Sequence, residues 1–370
     1  MRKGWEYKKL NEVCEKGASN IVINKLADNS GKYPLFGASG LVKNIDFFHH
    51  DKPYIGIVKD GAGVGRVNIY PAYSSLVGTM QYIFPKEGYS LDFIKYFLVK
   101  LDLSHCVSGA TIPHIYFKDY GKEKIPTPSL DTQLAIVSEL DKINELIRLK
   151  KEQLKDFDNL AQSLFYEMFG DPLENEKGWE VKKLVDNVKE MFLGPFGSAL
   201  KVDSYVPKED SFCMVYEQKH AIKKTINLEN HYINKEKFDG LQRFSVMPGD
   251  FIMSCRGTIG KLYQIPKGAP LGIIHPSLMK IRLKETGYDS TYFQFMLTKI
   301  IANESTNGNC VQMAITAKAL GKKELPLPPL PLQHLFAQRI EQIEREKSEV
   351  QKSIQDLETL LASRMQYWFE

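Results

Sequence analysis

The sequence predicts an α+β protein with a pseudo-two-fold internal repeat. Two mostly β globular segments with short helices are joined by two long helices that form an antiparallel coiled coil. The stretch from Pro126 to Phe169 returns in register from Pro326 to Phe369, at an offset of 200 residues. The segment from Gly4 to Leu10 returns as Gly178 to Leu184, at an offset of 174 residues. In both copies of the longer repeat, residues 126–169 and 326–369, apolar residues recur at the steps of three and four that a coiled-coil seam requires.

The two globular segments, which we call the first head and the second head, are expected at residues 1–128 and 171–328. Each contains β-type runs broken by a glycine-rich turn, Lys59 to Arg66 in the first head and Cys255 to Lys261 in the second. The two offsets make the second head 26 residues longer. Because loops of unequal length fill a shared frame, the two heads need not bind the same target. The β-type runs lie at 53–58, 80–85, 250–254 and 277–281, and the short helices at 92–101 and 290–301.

Residues 129–170 and 329–370 are predicted to be two long helices, which we call the spacer helices. Pro128 disfavours an earlier start, Asp131 is the expected N-cap, and Gly170 is the expected stop of the first helix. At 1.5 Å per residue each helix is about 55–60 Å long. Because each copy ends where the next begins, antiparallel pairing is expected to place the heads at opposite ends of the rod. The seam positions are Ile136, Leu140, Ile143, Ile147, Leu154, Phe157 and Leu164, then Phe336, Ile340, Ile343, Val350, Ile354, Leu357 and Leu361.

Charge is distributed unevenly, although the net charge of the whole chain is only +4. Residues 131–169 carry −3 and residues 331–370 carry −2, so the remainder, chiefly the heads, carries +9. This favours heads that approach phosphates, although an excess of this size also occurs on proteins without a polyanionic partner. No apolar run approaches 18 residues, so we expect no membrane contact and a cytoplasmic protein.

Motifs that would carry chemistry are weak. The five cysteines occur singly and His49-His50 lacks companions at ligand spacing, so we expect reduced thiols, no metal and no cofactor. A methyltransferase acting on adenine would need Asn or Asp before Pro-Pro, and the nearest string is Leu327-Pro328-Pro329-Leu330. The glycines between Lys59 and Arg66 do not complete a dinucleotide fingerprint and are better explained as tight turns.

Several short motifs occur in duplicated order. Gly-Trp followed by Lys-Leu opens each copy, a glycine turn follows in each head, and the string from Gly109 to Pro113 precedes the first spacer helix. A Pro-x-Pro segment then leads into each helix, over residues 125–169 and 325–369. In this order the whole chain resembles the DNA-specificity subunit of type I restriction-modification systems. No single motif is specific to that family, but their duplicated order is.

The resemblance implies that each head is a target-recognition domain that reads one half of a bipartite, asymmetric sequence in double-stranded DNA. It implies that the spacer helices set the distance between half-sites and dock two methyltransferase subunits, through which restriction subunits join. It also implies that this chain performs no chemistry, because methylation with S-adenosylmethionine and ATP-driven cleavage belong to the partners. We expect each head to enter the major groove, with half-sites roughly 34 Å apart.

Side chains with paired donors and acceptors read bases, while Ser, Thr and Lys hold phosphates. Loops near the glycine turns supply such groups, whereas Gly56, Trp5 and Trp179 are assigned to packing. The candidate DNA-binding residues of the first head are Ser39, Gly40, Lys43, Lys59, Arg66, Thr111, His114, Tyr116 and Lys118. Those of the second head are Ser198, Lys201, Gln218, Lys219, Lys223, Arg256, Thr258, Lys261 and Gln312.

Two other classes of function stay open. One is a coiled-coil scaffold whose basic heads bind RNA or protein. The other is a stand-alone methyltransferase or nuclease, the latter with a metal site assembled from Asp171, Glu180 and Lys182. The nuclease hypothesis is weak, because the first copy has Glu6 and Lys8 without an equivalent aspartate upstream. Turnover by the pure chain with DNA, S-adenosylmethionine and magnesium would indicate an enzyme. Absence of turnover would favour either the DNA-specificity subunit or the scaffold.

Overall fold

The computed structural model describes residues 5–109, 111–306 and 315–370, with side chains omitted at 304–306. Contacts divide the chain into two compact units, Met1–Gln153 with Val350–Glu370, and Leu154–Glu349. Each unit therefore holds one head together with a stretch of both spacer helices. The predicted α+β class is confirmed, with two mostly β heads and two long paired helices.

In its described residues, the first head contains nine strands and three short α-helices before the first spacer helix. Its strands are β1 (Tyr7–Lys9), β2 (Cys14–Ala18), β3 (Tyr33–Gly37), β4 (Gly40–Ile45), β5 (Tyr54–Val58), β6 (Val67–Tyr70), β7 (Ser75–Leu76), β8 (Met80–Pro85) and β9 (Lys124–Pro126). Its helices are α1 (Leu10–Val13), α2 (Leu91–Leu101) and α3 (Phe117–Tyr120), followed by the first spacer helix α4 (Leu130–Phe169).

The second head repeats this plan with one further strand and two further helices in the described ranges. Its strands are β10 (Val181–Lys183), β11 (Val188–Leu193), β12 (Cys213–Tyr216), β13 (His231–Ile233), β14 (Ser245–Val246), β15 (Phe251–Ser254), β16 (Leu262–Gln264), β17 (Gly272–Ile274), β18 (Leu278–Leu283) and β19 (Glu324–Pro326). Its helices are α5 (Leu184–Asn187), α6 (Gln218–Lys223), α7 (Lys235–Leu241), α8 (Ser290–Thr306) and α9 (Ala317–Gly321), followed by the second spacer helix α10 (Leu330–Phe369).

Both heads share one four-stranded antiparallel sheet, with order β2-β8-β5-β6 in the first and β11-β18-β15-β16 in the second. Each head also has a second sheet, which we call the smaller sheet because its strands together hold fewer residues. It is β4-β3-β7, with three strands, in the first head and β13-β12-β17-β14, with four strands, in the second. Each smaller sheet contains one parallel pair, β3 with β7 and β12 with β17. The four-stranded shared sheet is therefore the common frame of both heads, and the two heads diverge in the smaller sheet.

The central strand of the shared sheet is buried on both faces. On β5, Ile55 and Ile57 face the core that includes α2, while Tyr54 and Val58 face the core beneath the smaller sheet. This follows from the two-residue period of a strand, which sends successive side chains to opposite faces. A strand covered on both faces reads as a continuous apolar run, which is why 53–58 is recognisable in the sequence.

In the first unit, the N-terminal half of α4 packs against the C-terminal half of α10 in antiparallel fashion. Glu139 pairs with Arg364, and Lys151 pairs with Glu358 at 2.8 Å, so positions increase on one helix as they decrease on the other. Phe369 packs on α2 of the first head, with its ring centroid 5.1 Å from that of Phe93. The first head thus rests on both spacer helices.

The second unit repeats this arrangement with the helix ends exchanged. Lys347 of α10 pairs with Asp158 of α4 at 2.8 Å, and Phe336 lies against Phe165, so the pairing is again antiparallel. Phe169 packs on α8, with its ring centroid 4.6 Å from that of Tyr292, and on α10, with its ring centroid 5.3 Å from that of Phe336. Burial of a phenylalanine of this kind contributes about 1.5–3 kcal/mol to folding.

The first spacer helix α4 begins one residue before the predicted cap and ends where the sequence predicted. The helix begins at Leu130, so the expected N-cap Asp131 lies inside the first turn and that prediction was wrong. Ser129 is the cap instead, since its Oγ accepts the Thr132 backbone N–H at 3.3 Å. The helix ends at Phe169, directly before the expected stop at Gly170.

The seam residues are buried or half-buried in their units. Leu154, Phe157, Leu164, Leu357 and Leu361 are half-buried, and the other predicted seam residues are buried. Near the helix ends the most buried positions shift to pairs that the seam omitted, namely Phe165 with Phe169 and Met365 with Phe369. Across the described ranges, no helix carries an apolar stretch that could cross a lipid bilayer.

Candidate nucleic-acid interface

The three loops of the first head that were predicted to bind DNA lie together. The glycine turn between β5 and β6 contacts the 111–118 segment, where the Gly61 N–H donates to the Pro113 carbonyl at 3.0 Å. The same turn contacts the loop between β3 and β4, where Arg66 Nη1 donates to the Ala38 carbonyl at 2.8 Å. Segments that are far apart in sequence thus form one surface.

The glycine turn requires its glycines. Gly61, Gly63 and Gly65 have φ values of +84°, +84° and +85°, in the left-handed region that other residues rarely adopt. The interpretation of these glycines as tight turns is confirmed, and their role is to bring Arg66 back over the loop at Ala38.

Besides Arg66, two basic candidates of the first head are already engaged within it. Lys43 Nζ donates to the Leu26 carbonyl at 2.7 Å, which ties β4 to the segment before β3. His114 Nδ1 lies 2.7 Å from Asp60 Oδ1, a pairing that the sequence analysis missed because the two residues are 54 positions apart. These contacts orient the loops, and they leave fewer donors for a ligand than the sequence alone indicates.

In the second head, Gln218 joins two of the predicted segments. Its Nε2 donates to the carbonyls of Arg256 at 2.7 Å and Thr258 at 3.3 Å, which ties α6 to the glycine turn after β15. Ser254 Oγ also donates to the Thr258 carbonyl, at 2.5 Å. Gln218 therefore holds the shape of the turn, and Arg256, Thr258 and Lys261 are the exposed residues that the turn presents.

Glu217, at the start of α6, is an acidic group within this basic region. Burial raises the pKa of Glu217, but hydrogen bonds from Lys219 and His231 outweigh it, so the pKa lies below its ordinary value. The Oε2 atom is 2.8 Å from Lys219 Nζ and 3.0 Å from His231 Nδ1. The positive charge of Lys219 is consequently balanced within the head. Sequence alone did not show the contact of Glu217 with His231, because His231 lies on β13, away from α6 in the sequence.

The candidate residues divide by exposure. Gln312 lies outside the described residues. Half-buried candidates are Gly40, Lys43, Lys59, His114, Gln218 and Lys219. Exposed candidates are Ser39, Arg66, Thr111, Tyr116, Lys118, Ser198, Lys201, Lys223, Arg256, Thr258 and Lys261. The side chains of these exposed candidates are accessible to a large ligand. Their contact with DNA stays a prediction.

One group of side chains has the composition of a metal site. In the described residues, the ligand atoms of His105, Cys106 and Glu123 lie within 4.8 Å of one another. His105 Nδ1 is 2.8 Å from the Asp102 carbonyl, and its Nε2 is 3.3 Å from Glu123. The first of these contacts, with help from Glu123, raises the pKa of His105, which fits an imidazolium–carboxylate pair.

The residues of the nuclease hypothesis are used locally. Asp171 Oδ1 accepts the Leu173 N–H at 2.8 Å, as in a turn, and Glu180 pairs with Lys182 at 3.3 Å. Within the described ranges, no group of three metal-ligating side chains includes Asp171 or Glu180. This geometry lends the nuclease hypothesis no support.

Comparison with known families finds the same duplication. Residues 2–156 and 207–359 both match the family described as the type I restriction modification DNA specificity domain. The two matched stretches together cover more than half of the chain, and each contains most of one head and part of one spacer helix.

Known relatives are distant in sequence. The type I restriction enzyme MjaIX specificity subunit of Methanocaldococcus jannaschii is 23% identical over 226 residues, which is 50% of this chain and 52% of that protein. The alignment thus spans about half the length of that relative.

Solved structures show the same fold. The S subunit of a type I restriction-modification system from M. genitalium has a TM-score of 0.57 at 14% identity, over 99% of this chain and 96% of that chain. A chain described under the structural basis underlying complex assembly and conformational transition of the type I R-M system has a TM-score of 0.65 at 17% identity, over 99% and 97%. At these identities the likeness concerns the fold alone.

Proposed function

Because the chain belongs to the type I restriction modification DNA specificity domain family, we propose that it is the specificity subunit of a type I restriction-modification complex. Each head reads one half of a bipartite, asymmetric target in double-stranded DNA. The chain needs no cofactor and carries out no chemistry, because methylation and cleavage are the work of its partners.

The observation that carries this proposal is one frame used twice with different loops. Both heads have the same four-stranded sheet, and in both the glycine turn follows its central strand, β5 or β15. The smaller sheets and the loops around the turns differ. A common scaffold with divergent loops is the arrangement expected of two binding sites with different specificities.

The chemistry of each surface supports DNA as the ligand. Exposed Arg66 and Lys118 in the first head, and Arg256 and Lys261 in the second, supply donors for guanine edges or phosphates. The heads carry the excess positive charge of the chain, whereas the spacer helices are acidic. A polyanion is therefore attracted to the heads and repelled by the helices.

The spacer helices are proposed to set the distance between half-sites and to dock two methyltransferase subunits, through which restriction subunits join. Their outward faces retain apolar side chains that their own head does not cover. On α4 in the first unit, Leu134, Leu146 and Leu149 are 50%, 48% and 46% exposed. Apolar residues at helical spacing on an acidic helix provide a surface for other proteins.

The test is to express the full chain with the methyltransferase subunit of the same host and to map methylated adenines across the genome. The proposal expects one bipartite motif, which disappears when this chain is omitted. Exchange of one head for that of another family member should change one half of the motif and leave the other half and the spacing intact. Methylation that persists without this chain, or turnover by the purified chain alone, would contradict the proposal.

A further inference from the structure

Phe196 presents its ring to solvent. It is 89% exposed, the highest value among the large apolar side chains of the described residues. Burial of a phenylalanine is one of the larger favourable contributions to folding, so an exposed ring forgoes that contribution. Isolated exposed apolar residues are common, and a functional reading of this one needs support from its backbone and its surroundings.

The backbone on both sides of Phe196 is held by the head. The Gly194 N–H donates to the Leu278 carbonyl at 2.8 Å, and a Cβ at Gly194 would lie 2.3 Å from the His275 carbonyl oxygen. On the other side, Leu200 is only 5% exposed and packs in the core beneath the smaller sheet. The exposure of the ring therefore follows from an anchored backbone between Gly194 and Leu200.

The segment that contains Phe196 leaves the shared sheet at the same edge as the glycine turn after β15. Strands β11 and β15 both pair with β18 in antiparallel fashion, so both end where β18 begins. The Gly194 N–H donates to the Leu278 carbonyl, and the Cys255 N–H donates to the adjacent Ser277 carbonyl at 2.9 Å. Because adjacent strands lie 4.7–4.9 Å apart, the two segments leave the sheet about 10 Å from one another.

The surroundings of Phe196 at this edge are basic and polar. Ser198 and Lys201 follow on its own segment and are exposed. Arg256 and Lys261 are exposed on the neighbouring turn. An aromatic face flanked by cationic and hydroxyl side chains has the chemistry of a nucleic-acid surface, where bases stack on rings and cations meet phosphates.

We propose that Phe196 is an aromatic wedge that inserts into a base step of the second half-site, while Ser198 and Lys201 hold the adjacent phosphates. Apolar wedges partly unstack the step that they enter, and they favour steps that unstack easily. The second half-site is then read partly through deformability, in addition to contacts with base edges. This inference rests on the proposed function, since it assumes that the second head binds DNA.

Among the described residues of the first head, no aromatic ring occupies the corresponding place, although Tyr116 presents an exposed ring on the 111–118 segment. The segment that follows its corresponding strand β2 presents Val22 and Ile23, which are 50% and 45% exposed and are aliphatic. Ser19, in the same segment, is buried and donates to the Leu76 carbonyl at 2.5 Å. A wedge at this position is therefore a feature of the second head, and the first half-site serves as an internal reference.

The experiment uses the full chain in complex with its cognate methyltransferase subunits, and duplexes of the mapped target. The base 2-aminopurine, which fluoresces when unstacked, replaces successive bases of the second half-site. We expect a fluorescence rise at one step with the unmodified chain, which Phe196→Ala abolishes and Phe196→Tyr retains. Phe196→Ala should weaken binding by roughly ten- to hundredfold, a loss typical of a stacking aromatic.

Matched controls separate the wedge from other roles of the segment. Val202, 81% exposed on the same segment, is aliphatic, and Val202→Ala should leave the affinity and the fluorescence pattern unchanged. Because the Phe196 ring is exposed, Phe196→Ala should also leave the melting temperature and the assembly with methyltransferase unchanged. Recognition of the first half-site should not change in any of these variants.

Three outcomes would count against the inference or its premise. If Phe196→Ala binds the target as tightly as the unmodified chain and keeps the fluorescence rise, the wedge is refuted and the proposed function stands. If Phe196→Ala instead loses the methyltransferase subunits, the ring belongs to a protein interface and the wedge is refuted. If the unmodified complex does not distinguish its target from a scrambled duplex, the proposed function itself has failed.

Discussion

Gln133 and Gln333, 200 residues apart, make the same buried bridge between a head and the start of a spacer helix. Gln133 Oε1 accepts the Ser90 N–H at 2.9 Å, and Gln333 Oε1 accepts the Asp289 N–H at 2.8 Å. Each Nε2 donates to the proline carbonyl five residues earlier, at 2.9 Å and 2.7 Å. The two side chains are 1% and 0% exposed. Within each unit, the glutamine fixes the direction in which the helix leaves its head.

Replacement of either glutamine should destabilise its unit. Gln133→Leu leaves the Ser90 N–H and the Pro128 carbonyl buried without a partner, at a cost of about 1–3 kcal/mol. Gln333→Leu should cost a similar amount in the second unit. Chemical denaturation of each variant measures the change, with the exposed Gln162→Ala on the same helix as control. Equal stability of Gln133→Leu and Gln162→Ala would show that the bridge is not structural.

A buried ionic network holds the shared sheet of the second head. Lys280 on β18 is 2% exposed, and its Nζ donates to Glu190 Oε2 at 2.7 Å. Arg282 donates to both carboxylate oxygens of Asp250, at 2.6 Å and 2.7 Å, and to Glu190 at 2.7 Å. A partner removed from such a network leaves charge buried without compensation.

The stability of the second head should therefore depend on pH through Glu190. The hydrogen bond from Lys280, with help from Arg282, holds the pKa of Glu190 below its ordinary value of 4.5. Because the folded-state pKa is depressed, the stabilisation is fully present above pH 4.5 and is lost as the pH falls through the folded pKa. Glu190→Gln should cost about 1–3 kcal/mol at neutral pH.

The difference in unfolding free energy between Glu190→Gln and the unmodified chain should shrink as the pH falls below 4.5. Glu180→Gln, which removes an exposed partner of Lys182, is the matched control and should cost less than about 1 kcal/mol. Denaturation curves from pH 7 to pH 3 measure both variants. A difference that stays constant over this range would rule out the ion pair as its source.

The repeat and the heptads predicted the fold because they are properties of local sequence. The helices occur at Leu130–Phe169 and Leu330–Phe369, and the apolar runs became the central strands of the shared sheet. The cap was misplaced because Ser129 and Asp131 are both good N-cap residues, and only the backbone decides between them. At the end of α4 the buried position is Phe165, because it packs against the second head. A heptad pattern carries no information about that contact.

The candidate interface was predicted in composition but not in geometry. Residue type and glycine spacing identified the loops, and three of them do meet in the first head. Which side chains are used internally depends on contacts across long sequence separations, such as His114 with Asp60 and Gln218 with Arg256. The exposure of the Phe196 ring depends on how its backbone is anchored at Gly194 and Leu200, which residue types alone do not show.

Arg256→Ala should weaken recognition of one half-site only. A bidentate arginine contact with guanine contributes about 1–3 kcal/mol, so affinity for the full target should fall roughly ten- to hundredfold. Arg66→Ala should act in the same way on the other half-site. Lys189, exposed near the far end of β11 from the glycine turn, provides the control Lys189→Ala, with little expected change.

Binding to duplexes with one half-site scrambled at a time separates the two effects. After Arg256→Ala, discrimination should be lost at the second half-site and kept at the first. Loss of discrimination at both half-sites, or at neither, would contradict the assignment of one head to each half.

The distance between half-sites should follow the length of the spacer helices. Residues 147–153 of α4 and 351–357 of α10 lie beside one another in the first unit, where Lys151 contacts Glu358, the residue directly after the second segment. Deletion of both segments removes one heptad from each helix, keeps the seam in register, and shortens the helices by about 10 Å. Insertion of one heptad at the same place lengthens them equally.

Methylation-site sequencing of hosts that express the deletion variant with its methyltransferase measures the spacer between the two half-sites. We expect an unchanged sequence in both half-sites and a spacer shorter by about three base pairs, at 3.4 Å each. For the insertion, we expect a spacer longer by the same amount. Methylated motifs that keep the original spacer in both variants would contradict the claim that these helices measure the distance between two DNA-reading heads.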